Sequence, residues 1–190
     1  MGDDIIVHKK LVSLIPEIML IKDDSLRQAV ITTFVQALQK GGWQPEDMDV
    51  IPFTLLIPQC LISFLVHTRS VTQMCNLVFD EFNARYKEWG YSLNYDTLIA
   101  GAVLHDIGKL IEYEKTSTGQ FIKSRCGRNL RHPFSGAAIA VNNNVPYEVA
   151  HIIANHAKEG DGTLRSPEAV VVNKIDMLNF AGIKACMGIL

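Results

Sequence analysis

Histidine and aspartate side chains occupy positions in this sequence where apolar residues are expected. His67 continues an apolar face that repeats every three or four residues through Val71 and Cys75. His156 and Asp176 take equivalent positions on two later predicted helices. Burying an unpaired carboxylate costs free energy, whereas one divalent metal site would satisfy all three side chains together. The pattern therefore favours metal binding between helices.

Three further candidate ligands lie where predicted helices end or begin. His105 and Asp106 directly follow the apolar run 98–104, and Gly108 behind them lets the backbone turn away closely. An adjacent pair of this kind offers one nitrogen ligand and one carboxylate that can bridge two ions. His132 precedes a proline at the predicted start of a helix that runs to residue 141. A lone histidine is more often a core residue bonded to backbone, but a set of six favours a shared metal.

This ordered set resembles the signature of the HD superfamily, in which a histidine, an adjacent His-Asp pair and a later aspartate hold a metal. The residues that match these positions are His67, His105, Asp106 and Asp176, with the pair inside the segment HDIGK. The resemblance implies that Asp106 bridges to a second metal, which His132 and His156 also hold. It implies an all-α HD-domain helical bundle and a divalent transition metal cofactor, with one or two ions of Mn, Fe, Co, Ni or Zn.

The sequence departs from the two-metal HD phosphodiesterases at Asn155. Related cyclic-dinucleotide hydrolases carry two consecutive histidines where this chain has Asn155 and His156, and they carry a GYP triplet that is absent here. This departure disfavours a cyclic-dinucleotide substrate and leaves the second metal with fewer protein ligands. We expect Asn155 to touch substrate or to cap a backbone group.

Cationic side chains cluster around the predicted ligands. In the superfamily, the lysine matching Lys109 reaches a substrate phosphate, so Asp106 and Lys109 are the expected catalytic residues. Arginines in the segment 123–132 could grip phosphate oxygens with two hydrogen bonds, or could form a solvated loop face. The predicted substrate-binding residues are Lys109, Arg128, Arg131, Asn155 and Lys158.

The motif and these cations predict a metal-dependent phosphohydrolase. It would hydrolyse a nucleotide or another small phosphate ester by metal-activated water. Two alternatives stay open. One is a diiron oxygenase of the inositol-oxygenase-like HD type, which uses the same six-ligand arrangement. The other is a catalytically silent nucleotide-binding module that has kept the ligands without turnover.

Composition limits the other function classes. The chain has 190 residues, 48% of them hydrophobic and 20% charged, with a formal net charge of −2. This suits one compact domain over residues 1–190. The resemblance implies that it is a single HD domain with the metal-site core at about 63–180 and N-terminal helices of 1–60 packed on it. The balanced charge predicts neither a nucleic acid polymer nor a membrane as partner. The N-terminal helices could instead form a homodimer contact.

Four scattered cysteines and an N-terminus without a basic leader segment predict a cytoplasmic protein. Capping residues, glycines and periodicity also predict the main elements. These are a helix capped by Ser25 that ends at Gly41-Gly42, a long helix over 61–89, a helix over 95–104, helices starting near Pro146 and at Ser166, and a hairpin of residues 112–115 with 120–123.

Overall fold

Helices form nearly all the regular structure of this chain, as the sequence predicted. The structure is a computed structural model that describes residues 2–58 and 60–189, with side chains from Ile6 onwards; Met1, Gln59 and Leu190 lie outside the described residues. The α-helices are α1 Gly2–Leu14, α2 Asp24–Gly41, α3 Phe64–Tyr86, α4 Tyr95–Leu104, α5 Lys109–Glu112, α6 Arg125–Asn129, α7 His132–Asn142, α8 Tyr147–Asn155 and α9 Pro167–Cys186. Short 3-10 helices are formed by Pro16–Leu20, Pro45–Asp49, Lys87–Trp89 and Lys158–Gly160. The strands are β1 Tyr113–Lys115 and β2 Phe121–Lys123.

The N-terminal helices pack into the same hydrophobic cluster as the helices that follow. Leu11 of α1 and Phe34 of α2 are fully buried, together with Ile99 of α4 and Val149 of α8. Helices α1 and α2 therefore contribute buried side chains to the same core as α4 and α8. A homodimer contact stays a prediction.

The start of α2 differs from the predicted capping box. The N-cap residue is Asp23, whose carboxylate accepts a hydrogen bond of 3.0 Å from the backbone N–H of Leu26. Ser25 lies inside the helix and donates to the same carboxylate at 2.6 Å. The prediction placed the cap two residues late because serine and aspartate both suit this position. The predicted end is confirmed, since Gly42 adopts the left-handed conformation with φ 74°.

Helix α3 carries the first candidate ligand and is shorter than predicted. Its N-cap is Ser63, whose hydroxyl accepts a hydrogen bond from the N–H of Val66 at 3.2 Å. The predicted start at residue 61 is wrong because the preceding chain is extended and pairs with the loop before it, where the Phe53 N–H donates to the Ile62 carbonyl at 3.1 Å. A second apolar cluster joins α3, α4 and α9 through Val71 and neighbouring core residues.

The predicted hairpin is confirmed. Strands β1 and β2 are antiparallel, with Tyr113 opposite Lys123. Glu112, which was predicted to begin the first strand, is instead the last residue of α5. Among the described residues, none of the helices combines the length and apolarity needed to span a membrane.

Candidate metal centre

Asp106 lies at the centre of the site, two residues after the end of α4, and its two carboxylate oxygens face different histidine pairs. Oδ2 lies 3.3 Å from His105 Nε2 and 3.5 Å from His67 Nε2. Oδ1 lies 3.3 Å from His132 Nε2 and 3.5 Å from His156 Nε2. One buried carboxylate therefore joins two groups of potential metal ligands.

The first group joins helices α3, α4 and α9. His67 lies on α3, and its Nε2 is 3.0 Å from Asp176 Oδ1 on α9 and 3.3 Å from His105 Nε2. His105 Nε2 lies 4.0 Å from the same aspartate oxygen. The predicted apolar face of α3 is confirmed, since His67, Val71 and Cys75 are all buried.

The second group is formed by Asp106 with His132, the first residue of α7, and His156, the residue directly after α8. The Nδ1 of His132 is 3.0 Å from Glu112 Oε2, and that of His156 is 2.8 Å from the Ile153 carbonyl oxygen. Both acceptors take the proton on Nδ1, so in a neutral ring the lone pair is on Nε2.

These donors suit a cation. The Nε2 atoms of His132 and His156 lie 3.3 Å apart; with both rings neutral their lone pairs repel each other, and a bound cation would remove that repulsion. Asp106 Oδ1 is buried and has no hydrogen-bond partner in the described part of the chain. Nitrogen and carboxylate donors together favour divalent transition metals.

His132, Asp176 and Asp106 have the protonation states that a metal needs. Burial lowers the pKa of His132 to about 4, which keeps its ring neutral. Burial opposes ionisation of Asp176, but the hydrogen bond from His67 prevails and lowers the pKa of this aspartate to about 2. Burial likewise opposes ionisation of Asp106, whereas the nearby charges of Lys109 and His105 lower its pKa. Neutral imidazoles and ionised carboxylates are the metal-binding forms. His105 differs, because burial opposes its charge but Asp106 raises its pKa, so a metal ion would have to displace its proton.

Lys109 is bound to the protein more closely than the sequence indicated. Its ammonium group donates to Asp106 Oδ2 at 2.6 Å and to the carbonyl oxygen of Phe53. Burial opposes its charge, but Asp106 raises its pKa. Lys109 therefore fixes one oxygen of the central carboxylate and ties the loop of Phe53 to it.

A cavity of about 590 Å³ opens onto both ligand groups. Its charged lining includes Lys109, Arg131 and Lys158, three of the predicted substrate-binding residues. Its apolar lining is formed by Phe53, Leu55, Leu56, Met177 and Phe180. The cavity thus combines apolar walls with a charged wall of lysines, Arg131 and the acids Glu112 and Glu159 beside the candidate metal positions.

The other two predicted substrate-binding residues do not line this cavity. Arg128 donates to the Lys123 carbonyl at 2.8 Å and lies 3.9 Å from Glu114. Asn155 accepts a hydrogen bond from Thr163 at 2.7 Å and donates to the backbone of its own helix. Asn155 therefore bonds to the chain around it, which was one of its two expected roles.

Two residues of the centre were missed from the sequence. Glu112 binds His132, and the Phe53 ring lies 4.6 Å from the ring of His67. Glu112 could have been noticed as an acidic residue one helical turn after Lys109, but the sequence was interpreted as a strand from residue 112. Phe53 lies in an apolar run and gave no signal of its own.

The HD domain family model matches residues 64–180, which include all six candidate ligands. The chain belongs to the HD domain family. One relative is the dihydroneopterin 2',3'-cyclic phosphate phosphodiesterase of Methanocaldococcus jannaschii, which is 32% identical over 127 residues. The match covers 63% of this chain and 49% of the relative, so the chain spans about half the length of the curated relative it matches. No solved structure matches the chain significantly.

Proposed function

We propose that this HD-family chain is a metal-dependent phosphohydrolase that cleaves a small phosphodiester with water. The observation that carries this proposal is the position of Asp106, whose two oxygens face two separate histidine pairs at 3.3–3.5 Å. A shared carboxylate of this kind suits two metal ions held close together, as in two-metal phosphoester hydrolysis. We propose Mn, Fe, Co, Ni or Zn as the metal.

The protein residues have separate roles in this proposal. His67, His105, Asp106 and Asp176 would hold one ion, while Asp106, His132 and His156 would hold the other. When bound, the ions would polarise the phosphoryl group and bring the pKa of a water ligand towards neutrality. Lys109 keeps Asp106 ionised and oriented.

The cavity supports a phosphate ester with an apolar portion as substrate. Lys158 places positive charge in the wall, where it would stabilise charge on phosphoryl oxygens. Arg131 is paired with Glu112 and Glu159 in the same wall and would reach a phosphoryl oxygen only by sharing its donors with them. Phe53, Met177 and Phe180 offer an apolar surface for the rest of the molecule. A pocket of about 590 Å³ suits a nucleotide-sized ligand.

The relative's name favours hydrolysis over the alternatives. The relative that matches this chain is named for action on a 2',3'-cyclic phosphate. We therefore propose a cyclic phosphodiester as the first substrate class to test. Neither the diiron oxygenase nor the silent binding module has an observation of its own in this structure that favours it.

A substrate screen of the full chain tests the proposal. Metal-free protein is loaded in turn with each of the five metals and incubated with 2',3'-cyclic AMP, bis(p-nitrophenyl) phosphate and p-nitrophenyl phosphate. We expect ring opening of the cyclic diester, with Asp106→Asn as the inactive control. Oxygen consumption by the iron form without hydrolysis would support the oxygenase. Nucleotide binding without product would support the silent module. No hydrolysis of any ester with any metal rejects the proposal.

A further inference from the structure

We infer that Glu112 is a positioning residue that makes the second metal position bind its ion. The inference rests on the paired-metal site of the proposed function. Glu112 lies at the end of α5, its side chain is 1% exposed, and it is not a member of either ligand group. Its carboxylate instead binds the residues at the start of α7.

One oxygen of Glu112 holds His132 at two points. Oε2 accepts hydrogen bonds from the His132 backbone N–H at 2.6 Å and from its ring Nδ1 at 3.0 Å. The other oxygen of Glu112, Oε1, is ion-paired with Arg131, which directly precedes His132. The backbone and the ring of His132 are thus fixed by the same carboxylate, so the ring can neither rotate nor exchange its Nδ1 proton for one on Nε2 without losing a buried hydrogen bond.

Among the described residues, the first ligand group has no carboxylate bound to a histidine Nδ1. His105 Nδ1 donates to a backbone carbonyl, that of Ala102, at 2.7 Å. His67 Nδ1 is buried and has no hydrogen-bond partner among the described residues. A histidine whose ring N–H donates to a carboxylate is a stronger and better oriented metal ligand than one without such a partner. Loss of Glu112 should therefore weaken the second metal position selectively.

The fold holds Glu112 in place through a close contact with α6. A Cβ atom added at Gly127 would lie 2.2 Å from the Glu112 carbonyl oxygen and 2.6 Å from its Cγ. The Ser124 N–H also donates to that carbonyl at 2.8 Å. Gly127→Ala would therefore displace Glu112 without substituting Glu112 or any of the candidate ligands.

The test is a titration of the metal-free full chain with Mn(II), followed by electron paramagnetic resonance. In wild type we expect two equivalents to bind and the six-line Mn(II) signal to be lost as the two ions couple. In Glu112→Gln we expect the first equivalent to bind as in wild type and the second to bind about 10–100-fold more weakly. Uncoupled six-line signal would then persist at two equivalents.

Matched variants separate positioning from loss of folding. Glu114→Gln makes the same change two residues later on the hairpin, where the side chain is half-exposed, and should titrate as wild type. Gly127→Ala should reproduce the selective loss, and it serves as the test if Glu112→Gln does not fold by circular dichroism.

Three results would overturn the inference. In Glu112→Gln, the affinity for the second Mn(II) equivalent could stay within threefold of wild type, or the affinities for both equivalents could fall equally. The third result is a wild-type protein that binds a single ion. The first two leave the proposed function standing, whereas the third also removes its paired-metal site.

Discussion

His132 and His156 face each other through their Nε2 atoms at a distance of 3.3 Å, and both rings are held in that orientation by acceptors at Nδ1. When both rings are neutral and no cation is bound, two lone pairs meet in a buried space. His67 and His105 approach with the same Nε2 separation in the first group. The helices therefore hold nitrogen and carboxylate donors in an arrangement that metal binding stabilises.

Metal removal should lower thermal stability. A ligand present at 100 times its dissociation constant stabilises the folded state by about 2.7 kcal/mol. For a chain of this length we expect the unfolding midpoint to rise by about 5–10 °C when Mn(II) is added to metal-free protein. Differential scanning calorimetry measures the shift. Asp106→Asn should lose it, and Asp161→Asn, which changes an exposed carboxylate paired with Arg165, should keep it.

The stability of the metal-free protein should depend on pH through His132. Burial lowers the folded-state pKa of this ring from 6.5 to about 4. Because the folded-state pKa is the lower one, the contribution of the neutral ring to stability is complete above pH 6.5 and is lost as pH falls towards 4. A tenfold difference in proton affinity between the folded and unfolded states corresponds to about 1.4 kcal/mol. Urea titrations measure the free energy of unfolding of wild type and of His132→Gln at each pH. The difference between the two should fall as pH drops from 6.5 towards 4. A difference that stays constant between pH 7 and 4 would refute the lowered pKa of His132.

Replacing Lys109 should destabilise the fold as well as the site. Lys109→Met would leave Asp106 Oδ2 and the Phe53 carbonyl without their shared donor. Breaking one side of a buried ion pair costs about 3–5 kcal/mol, which urea unfolding of the metal-free protein would measure. Lys158→Met, at an exposed lysine of the same cavity, should change stability little. Equal stability of the two variants would mean that Lys109 contributes through substrate alone.

The contact between Gly108 and α7 should be sensitive to one added methyl group. A Cβ at Gly108 would lie 2.0 Å from the His132 carbonyl oxygen and 2.8 Å from the Gly136 nitrogen. Backbone atoms cannot move aside like a flexible side chain, so we expect Gly108→Ala to lose about 1–3 kcal/mol of stability. Gly162→Ala meets no atom within 4 Å and is the control. Chemical denaturation measures the free energy of unfolding of both variants, and an equal value for Gly108→Ala and Gly162→Ala would contradict the prediction.

The helical fold could be predicted because apolar periodicity and capping residues act locally. Ser166 caps α9 as predicted, with its hydroxyl accepting a hydrogen bond from the Ala169 N–H. The start of α3 could not be located, because it depends on a long-range pairing between the chain around Ile62 and the loop at Phe53. The residues around the start of α3 do not by themselves indicate that contact.

The same distinction applies to the site. His67, His156 and Asp176 were found because each interrupts an apolar helical face, and the structure brings them to one centre with His105, Asp106 and His132. Their roles as ligands stay predictions. The carboxylate of Glu112 and the protein contacts of Lys109 were not foreseen, because they depend on how α5 packs against α7 and against the loop at Phe53.

The most direct test of the central claim is phosphodiester hydrolysis measured against metal equivalents. Metal-free wild type is titrated with the most activating metal, and kcat/KM for bis(p-nitrophenyl) phosphate and 2',3'-cyclic AMP is followed beside Asp106→Asn. We predict no turnover without metal, activity that rises up to two equivalents, and a loss of more than about 100-fold in Asp106→Asn. Hydrolysis at the wild-type rate without metal, or in Asp106→Asn, would contradict the account.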